Sequence, residues 1–283
     1  QKGPANWPPI HTSKKSPNTL FTSNLQLSPM TPNGFISDEN LPETELVLFC
    51  LPHAGGGTSV FHRLRSLVPS WLRLVPICLP GREARFSEPA YTELGPLVTD
   101  LADAIRPHLP RTYAFLGHSM GALVFFELVR EFRRQNLPLP CLFIVAAARA
   151  PHLVPKLEPL HHLPDQQFLT AVHCRYGGIP EKVRDNRELV ASVTPTLRAD
   201  FQVLETYQYQ QATPLEVDLL ALGGREDQAI MDPELAAWQQ HITGCFSLQL
   251  LPGGHLFLTD SSSNTPKSAM HTIIDHLRPF AGK

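Results

Sequence analysis

A mostly parallel β-sheet with helices on both faces, an α/β fold, is what the amino-acid sequence predicts. Three observations point there. Short unbroken apolar runs ending in turns recur along the chain, amphipathic stretches of helical length lie between them, and one long block between two runs is helical in character without a strand. A strand covered on both faces needs apolar side chains at successive positions rather than alternate ones, and parallel neighbours need a crossover that a helix supplies.

Residues 1–44 stand apart from this pattern. They carry seven of the chain's 28 prolines, with many Ser, Thr and Asn and no helical or strand period. Such a segment cannot bury enough apolar surface to offset its ordering entropy, and a flexible Pro-rich arm or linker is expected. The folded domain is expected over 45–283. Its strands are "LVLFCLP" (46–52), "RLVPICLP" (73–80), "YAFLG" (113–117), "CLFIVAAA" (141–148), "VDLLALG" (217–223) and "FSLQLLP" (246–252). Helices are expected over 58–68, 92–107, 120–135, 232–241 and 267–279. Residues 157–211 read as several short helices, too many residues for a plain connection. Placed between two strands, they are expected to form a helical lid over the strand ends, where open α/β sheets bind ligands.

Composition excludes several classes of function. Of 283 residues, 42% are hydrophobic and 18% charged, an ordinary globular balance, and the formal net charge of −2 offers no concentrated basic surface for nucleic acid. Runs such as "CLFIVAAA" fall well short of the roughly 20 residues of a membrane span. The opening "QKGPANWPPI" has no apolar core of a signal peptide, and without a leading Met the numbering is expected to begin inside a longer product. Five cysteines without a CxxC pair read as reduced, mostly buried thiols in a cytoplasmic protein. His161 and His162 are adjacent but have no nearby cluster, so no metal is expected.

The chemistry centres on Gly117-His118-Ser119-Met120-Gly121, which matches G-x-S-x-G between an apolar strand and a long helix. In that context the serine occupies a strained turn, exposed as a nucleophile at a helix N-terminus. A serine hydroxyl needs a base. His255, after the last strand in "LPGGHLFL", is the candidate; His118, beside Ser119, points elsewhere at such a turn. The acid is expected after the preceding strand, where "LLALGGREDQAI" presents Glu226 and Asp227. Asp227 is chosen as the shorter carboxylate on the turn, with Glu226 as the alternative. The order Ser119, Asp227, His255 is that of an α/β-hydrolase. An oxyanion site needs two backbone N–H groups, expected from Met120 and from Ala54 in "PHAGGGTS" (52–59). That glycine-rich loop is no phosphate-binding P-loop, because no Gly-Lys-Ser/Thr follows.

With these residues in view, "LFCLPHAGGG", "LPGREARF", "FLGHSMGALVFFELVRE", "LRADFQVLETYQY", "ALGGREDQ" and "LPGGHLFL" together resemble the type II thioesterases of nonribosomal peptide and polyketide synthesis. The likeness runs in consistent order over about residues 46–258. It implies the α/β-hydrolase fold, with nucleophile, acid and base at Ser119, Asp227 and His255. It implies hydrolysis of acyl thioesters from the phosphopantetheine arm of carrier proteins, editing misprimed or stalled units. No cofactor is implied beyond the phosphopantetheine that the substrate carries. The partner implied is an acyl or peptidyl carrier protein, bound transiently by a monomer, with no nucleic acid or membrane. Arg82 and Arg85 in "PGREAR" and Arg149 in "ARAP" are candidates to attract the arm's phosphate or an acidic carrier. The long arm departs from the family pattern and keeps a product-releasing domain in view, alongside a medium-chain fatty-acyl thioesterase and a non-catalytic carrier-binding protein. Gln228, where the family often has Pro, alters the turn after the acid.

Overall fold

The structure, a computed structural model, describes residues 34–36, 46–260 and 262–282. Six strands form one parallel sheet in the order β2-β1-β3-β4-β5-β6. They are β1 (Leu46–Leu51), β2 (Leu72–Pro76), β3 (Tyr113–His118), β4 (Leu142–Ala146), β5 (Asp218–Gly224) and β6 (Phe246–Leu251). Every position of β1, β3 and β4 is buried. The pleat sorts their side chains between two cores: Val47, Phe49, Phe115, Phe143 and Val145 enter one, and Leu48, Cys50, Leu116, Leu142 and Ile144 the other.

The first core is closed by α2 (Leu94–Ile105) and α3 (Met120–Arg134), the second by α1 (His62–Arg65) and α8 (Thr265–Leu277). Phe125 of α3 stacks on Phe115 of β3 with ring centroids 4.2 Å apart. The sheet is therefore an apolar slab between two helical layers, as the unbroken apolar runs require. β1 has β2 on one side and β3 on the other, so the chain's direction across the sheet reverses there. The loops after β1 and β3 part at that point and leave a crevice at the carboxyl ends of the strands.

Two expectations about local structure are corrected. The second strand ends at Pro76 instead of running to residue 80: Ile77 N–H still donates to Cys50 O at 2.9 Å, but Cys78 N–H then turns away to Phe35 O at 2.9 Å. The block 157–211 contains α4 (Asp165–Tyr176), α5 (Glu181–Arg184) and α6 (Arg187–Glu205), and α6 is one helix of 19 residues, not a short one. Pro195 lies inside α6. An internal proline costs about 3 kcal/mol. Beyond it, however, Leu197 and Phe201 pack with Leu160, Phe168, Leu169 and Val172, and this buried cluster carries the helix on. Asn186 caps the other end, its side chain accepting from the N–H groups of Glu188 and Leu189.

The arm expected over 1–44 lies outside the described residues except at Gly34–Ile36. Those residues are docked: Phe35 and Ile36 are buried, Ile36 forms an antiparallel bridge with Ile77, and the Arg85 guanidinium lies 4.3 Å from the Phe35 ring centroid.

Candidate active site

Ser119 joins the end of β3 to the start of α3 with φ 53° and ψ −111°, a left-handed region that side chains rarely enter. Its N–H donates to Ala146 O at 2.8 Å and its carbonyl accepts from Ala122 N–H at 3.0 Å, so the backbone is held from both sides. The flanking glycines are demanded by space. A Cβ at Gly117 would lie 2.4 Å from the Ala122 backbone, and one at Gly121 would lie 2.2 Å from Leu51 O. Gly121 N–H instead reaches Pro52 O at 3.1 Å, tying the first turn of α3 to the loop after β1.

The structure brings His255 and Asp227 to this serine. His255 Nε2 lies 2.9 Å from Ser119 Oγ, and Nδ1 lies 2.9 Å from Asp227 Oδ2. A carboxylate accepts only, so Nδ1 carries the proton and Nε2 is free to accept one. Both side chains are almost wholly buried. Asp227 Oδ1 accepts from Ala229 N–H at 2.8 Å and Ile230 N–H at 3.2 Å, which keeps the carboxylate fixed. Glu226, the alternative acid, faces the other way: its carboxylate accepts from Gly253 N–H and its own N–H donates to Gly253 O. It holds the turn that presents His255. His118 is buried, and its Nε2 lies 2.9 Å from His255 O. Burial, then its neighbours His53 and His255, keeps its pKa well below the ordinary value, so the ring is neutral and donates to that carbonyl.

Met120 and Ala54 carry the two N–H groups singled out in the sequence. Neither has an acceptor for its N–H among the described residues. Met120 opens α3, where the first N–H groups lack intrahelical partners. Ala54 lies in the wall of the cavity that contains Ser119 and His255. That cavity holds about 610 Å³ and is lined by apolar groups including Leu123, Leu153, Val172, Leu197 and Phe201. Tyr176, the last residue of α4, sets its ring 4.8 Å from that of His255. A larger groove of about 1080 Å³ lies between α2, α3 and the end of α6, and none of these site residues lines it.

The arginines of "PGREAR" are not placed for an anion. Arg82 is buried and forms a two-pronged ion pair with Asp200 of α6. Arg85 donates to Cys78 O and to Glu88. Their side chains are consumed by the fold, which corrects that expectation. Arg149 lines the cavity and has no hydrogen bond or ion pair among the described residues. Asp200 was not singled out in the sequence, although an acidic residue within an otherwise buried helix face, in "LRADF", was the available signal. Nothing local marks Tyr176.

Fold and residue arrangement together define an α/β-hydrolase with a serine at a strand–helix elbow. The chain belongs to the thioesterase family, whose model, described as a thioesterase domain, matches residues 47–276. Linear gramicidin dehydrogenase LgrE of Brevibacillus parabrevis is 38% identical over 262 residues, covering 91% of this chain and 99% of the relative. Gramicidin S biosynthesis protein GrsT of Aneurinibacillus migulanus is 38% identical over 217 residues, 77% of this chain and 84% of the relative. Among solved structures, the RedJ thioesterase of the prodiginine pathway in Streptomyces coelicolor superposes with a TM-score of 0.75 at 30% identity, over 83% of this chain and 94% of that one. The protein is a serine-dependent thioester hydrolase of the type II thioesterase group. The Glu83 carboxylate accepts from Thr58 N–H at 2.8 Å and Ser59 N–H at 3.0 Å, which ties the "PGREAR" segment to the loop after β1.

Proposed function

We propose that the protein edits carrier proteins of nonribosomal peptide or polyketide synthesis, removing misprimed or stalled acyl groups through an acyl-enzyme at Ser119. The observation that carries the mechanism is the pair of 2.9 Å contacts linking Ser119, His255 and Asp227 beside two unengaged N–H groups. Ser119 Oγ forms a bond to the thioester carbonyl carbon as its proton passes to His255 Nε2. The negative charge collects on the carbonyl oxygen, which Ala54 and Met120 N–H receive. Asp227 stabilises the imidazolium without taking its proton. The C–S bond then breaks and the thiol leaves with the proton from His255. Water attacks the acyl-serine, gives its proton to the same nitrogen, and the carboxylic acid departs as Ser119 is reprotonated. These side chains and water account for each bond and proton, so no cofactor is assigned; phosphopantetheine arrives with the substrate.

The block of α4 to α6 acts as the lid, roofing the cavity with Val172, Tyr176, Leu197 and Phe201. A transiently docked carrier is supported by the apolar rim: Phe86, Leu157 and Met231 line the mouth and are exposed. Arg149, which lines the same cavity and makes no ion pair among the described residues, is assigned to meet the arm's phosphate. We assign a monomer in the cytoplasm, a reading supported by five cysteines without a disulfide, although only Cys50 and Cys78 are buried as expected while Cys174 and Cys245 are exposed.

The test is burst kinetics on carrier protein loaded with acetyl, medium-chain and aminoacyl groups, with an aryl ester as control. Ser119→Ala is expected to lower turnover roughly a million-fold. Hydrolysis of several short loads supports editing, whereas preference for one long or peptidyl load supports product release or a fatty-acyl role. Unchanged turnover in Ser119→Ala removes the serine mechanism.

A further inference from the structure

We infer that Arg82 and Asp200 are positioning residues that hold the Ala54 N–H in register for the oxyanion, and that through them helix α6 of the lid sets the oxyanion site. The inference rests on the acyl-enzyme reading above. Its basis is the way the two peptide groups flanking Ala54 are fixed.

The Ala54–Gly55 peptide is gripped at both ends. Its N–H donates to Asp200 Oδ2 at 2.7 Å, and its carbonyl, Ala54 O, lies 2.9 Å from His53 Nδ1. Burial keeps His53 below its ordinary pKa, so a neutral ring with a proton on Nδ1 donates to that carbonyl. The peptide that carries the Ala54 N–H is His53–Ala54. Its oxygen accepts from Gly56 N–H at 2.9 Å. The carbonyl of Gly56 in turn accepts from Arg82 Nη1 at 3.0 Å, and the same nitrogen meets Asp200 Oδ2 at 2.8 Å. Arg82 Nη2 completes the pair on Asp200 Oδ1 at 2.7 Å, and Nε reaches Pro80 O at 3.3 Å. Both side chains are below a tenth exposed.

α6 reinforces the same loops through its neighbouring turn. Thr196 Oγ1 donates to Gly81 O at 2.7 Å, and a Cβ on Gly55 would lie 2.7 Å from Leu197 Cδ1. Gly55 and Gly81 both take positive φ, +75° and +82°, so the two loops fold closely under the helix. A buried ion pair is weak as a stabiliser, because desolvating two charges offsets most of their attraction. It is strong as a geometric constraint, since Asp200 Oδ2 and Arg82 Nη1 each also fix a backbone group of the loop, Gly55 N–H and Gly56 O. Displacing an oxyanion donor by a fraction of an ångström weakens the transition state more than the bound substrate.

The test compares Asp200→Asn and the apolar pair Arg82→Met/Asp200→Leu with wild type on acyl-carrier substrate. Three quantities are read: kcat and KM, the inhibition constant of an alkyl boronic acid that forms a tetrahedral adduct on serine, and the affinity of a non-hydrolysable acyl thioether of pantetheine. In Asp200→Asn, kcat is expected to fall about 10- to 100-fold with KM within about 3-fold of wild type. Boronate binding is expected to weaken in proportion to kcat, with thioether binding unchanged. The apolar pair leaves no buried charge behind, so its unfolding temperature is expected to stay near wild type while kcat remains low. Wild-type kcat in the folded apolar pair overturns the inference, as does a rise in KM at constant kcat in Asp200→Asn. Ser119→Ala run alongside separates the two ideas: if that variant still turns over as wild type, it is the acyl-enzyme reading that fails.

Discussion

Asp227 and Glu226 are neighbours in sequence, and either carboxylate could serve the histidine on chemistry alone. The turn after β5 decides between them. Asp227 is fixed by two N–H groups and points at His255 Nδ1, while Glu226 is committed to Gly253. Asp227→Asn keeps the shape but reverses the donor pattern opposite Nδ1, which favours the wrong tautomer of His255. kcat is expected to fall about 10⁴-fold with the fold intact. Glu226→Gln, which can still accept from Gly253 N–H, is expected to stay within about tenfold of wild type. Steady-state rates on an acyl thioester check both, and equal losses would return the acid's place to Glu226. The serine, the histidine and the pair of acidic candidates were legible because each sits at a strand end and strand ends are easily read. The choice between the acids was not, because it turns on which backbone amides face which oxygen.

At the scale of elements, the elbow is a packing problem between β1, β3 and α3. α3 can start directly beneath β1 only because residue 121 has no side chain: a Cβ there would meet Leu51 C and O and Pro52 O, all backbone atoms that cannot rotate away. Gly121→Ala is therefore expected to push α3 off the sheet, lowering the unfolding temperature by several degrees and kcat by at least tenfold. Thermal unfolding and turnover measured together check this; a variant with wild-type values in both would show that the close approach is not needed. Helix α6 shows the opposite balance. A proline inside a helix disfavours its continuation, so local propensity alone would end α6 near Pro195. The buried cluster around Phe168 and Phe201 and the ion pair at Asp200 lie past the proline and keep the helix going. Propensity is a weak prior where tertiary contacts are dense.

For the whole molecule, desolvation lowers the pKa of three histidines among the described residues: the buried His118 and His241 and the half-buried His53. For His241, packed against His152, Phe126 and Trp238, the value falls to about 4. In the unfolded chain the same groups titrate near 6.5. Below that pH the unfolded state binds protons that the folded state refuses, so stability falls with falling pH. Their contribution is full above about pH 6.5 and, for His241, is lost progressively down to about pH 4. The unfolding temperature is expected to be level from pH 8 to 7 on this account and to drop by several degrees by pH 5. His241→Asn, which cannot titrate, is expected to flatten the decline between pH 6.5 and 5. An unaltered slope in that variant would remove His241 as a contributor.

By itself the sequence determined the layered α/β architecture, since unbroken apolar runs can only be satisfied by burial on both faces. It also determined the family and the places of Ser119 and His255, because a G-x-S-x-G elbow and a glycine turn after the last strand are local signals. Only the tertiary structure decided what joins residues far apart in the chain. Arg82 and Arg85 looked free for an anion and are spent on Asp200, Cys78 and Glu88. Gly55 and Asp200, 145 residues apart, share a hydrogen bond that holds the loop beside the serine. The physical reason is that a charged or polar group reads the same in sequence whether water or a buried partner satisfies it. Folding alone selects which.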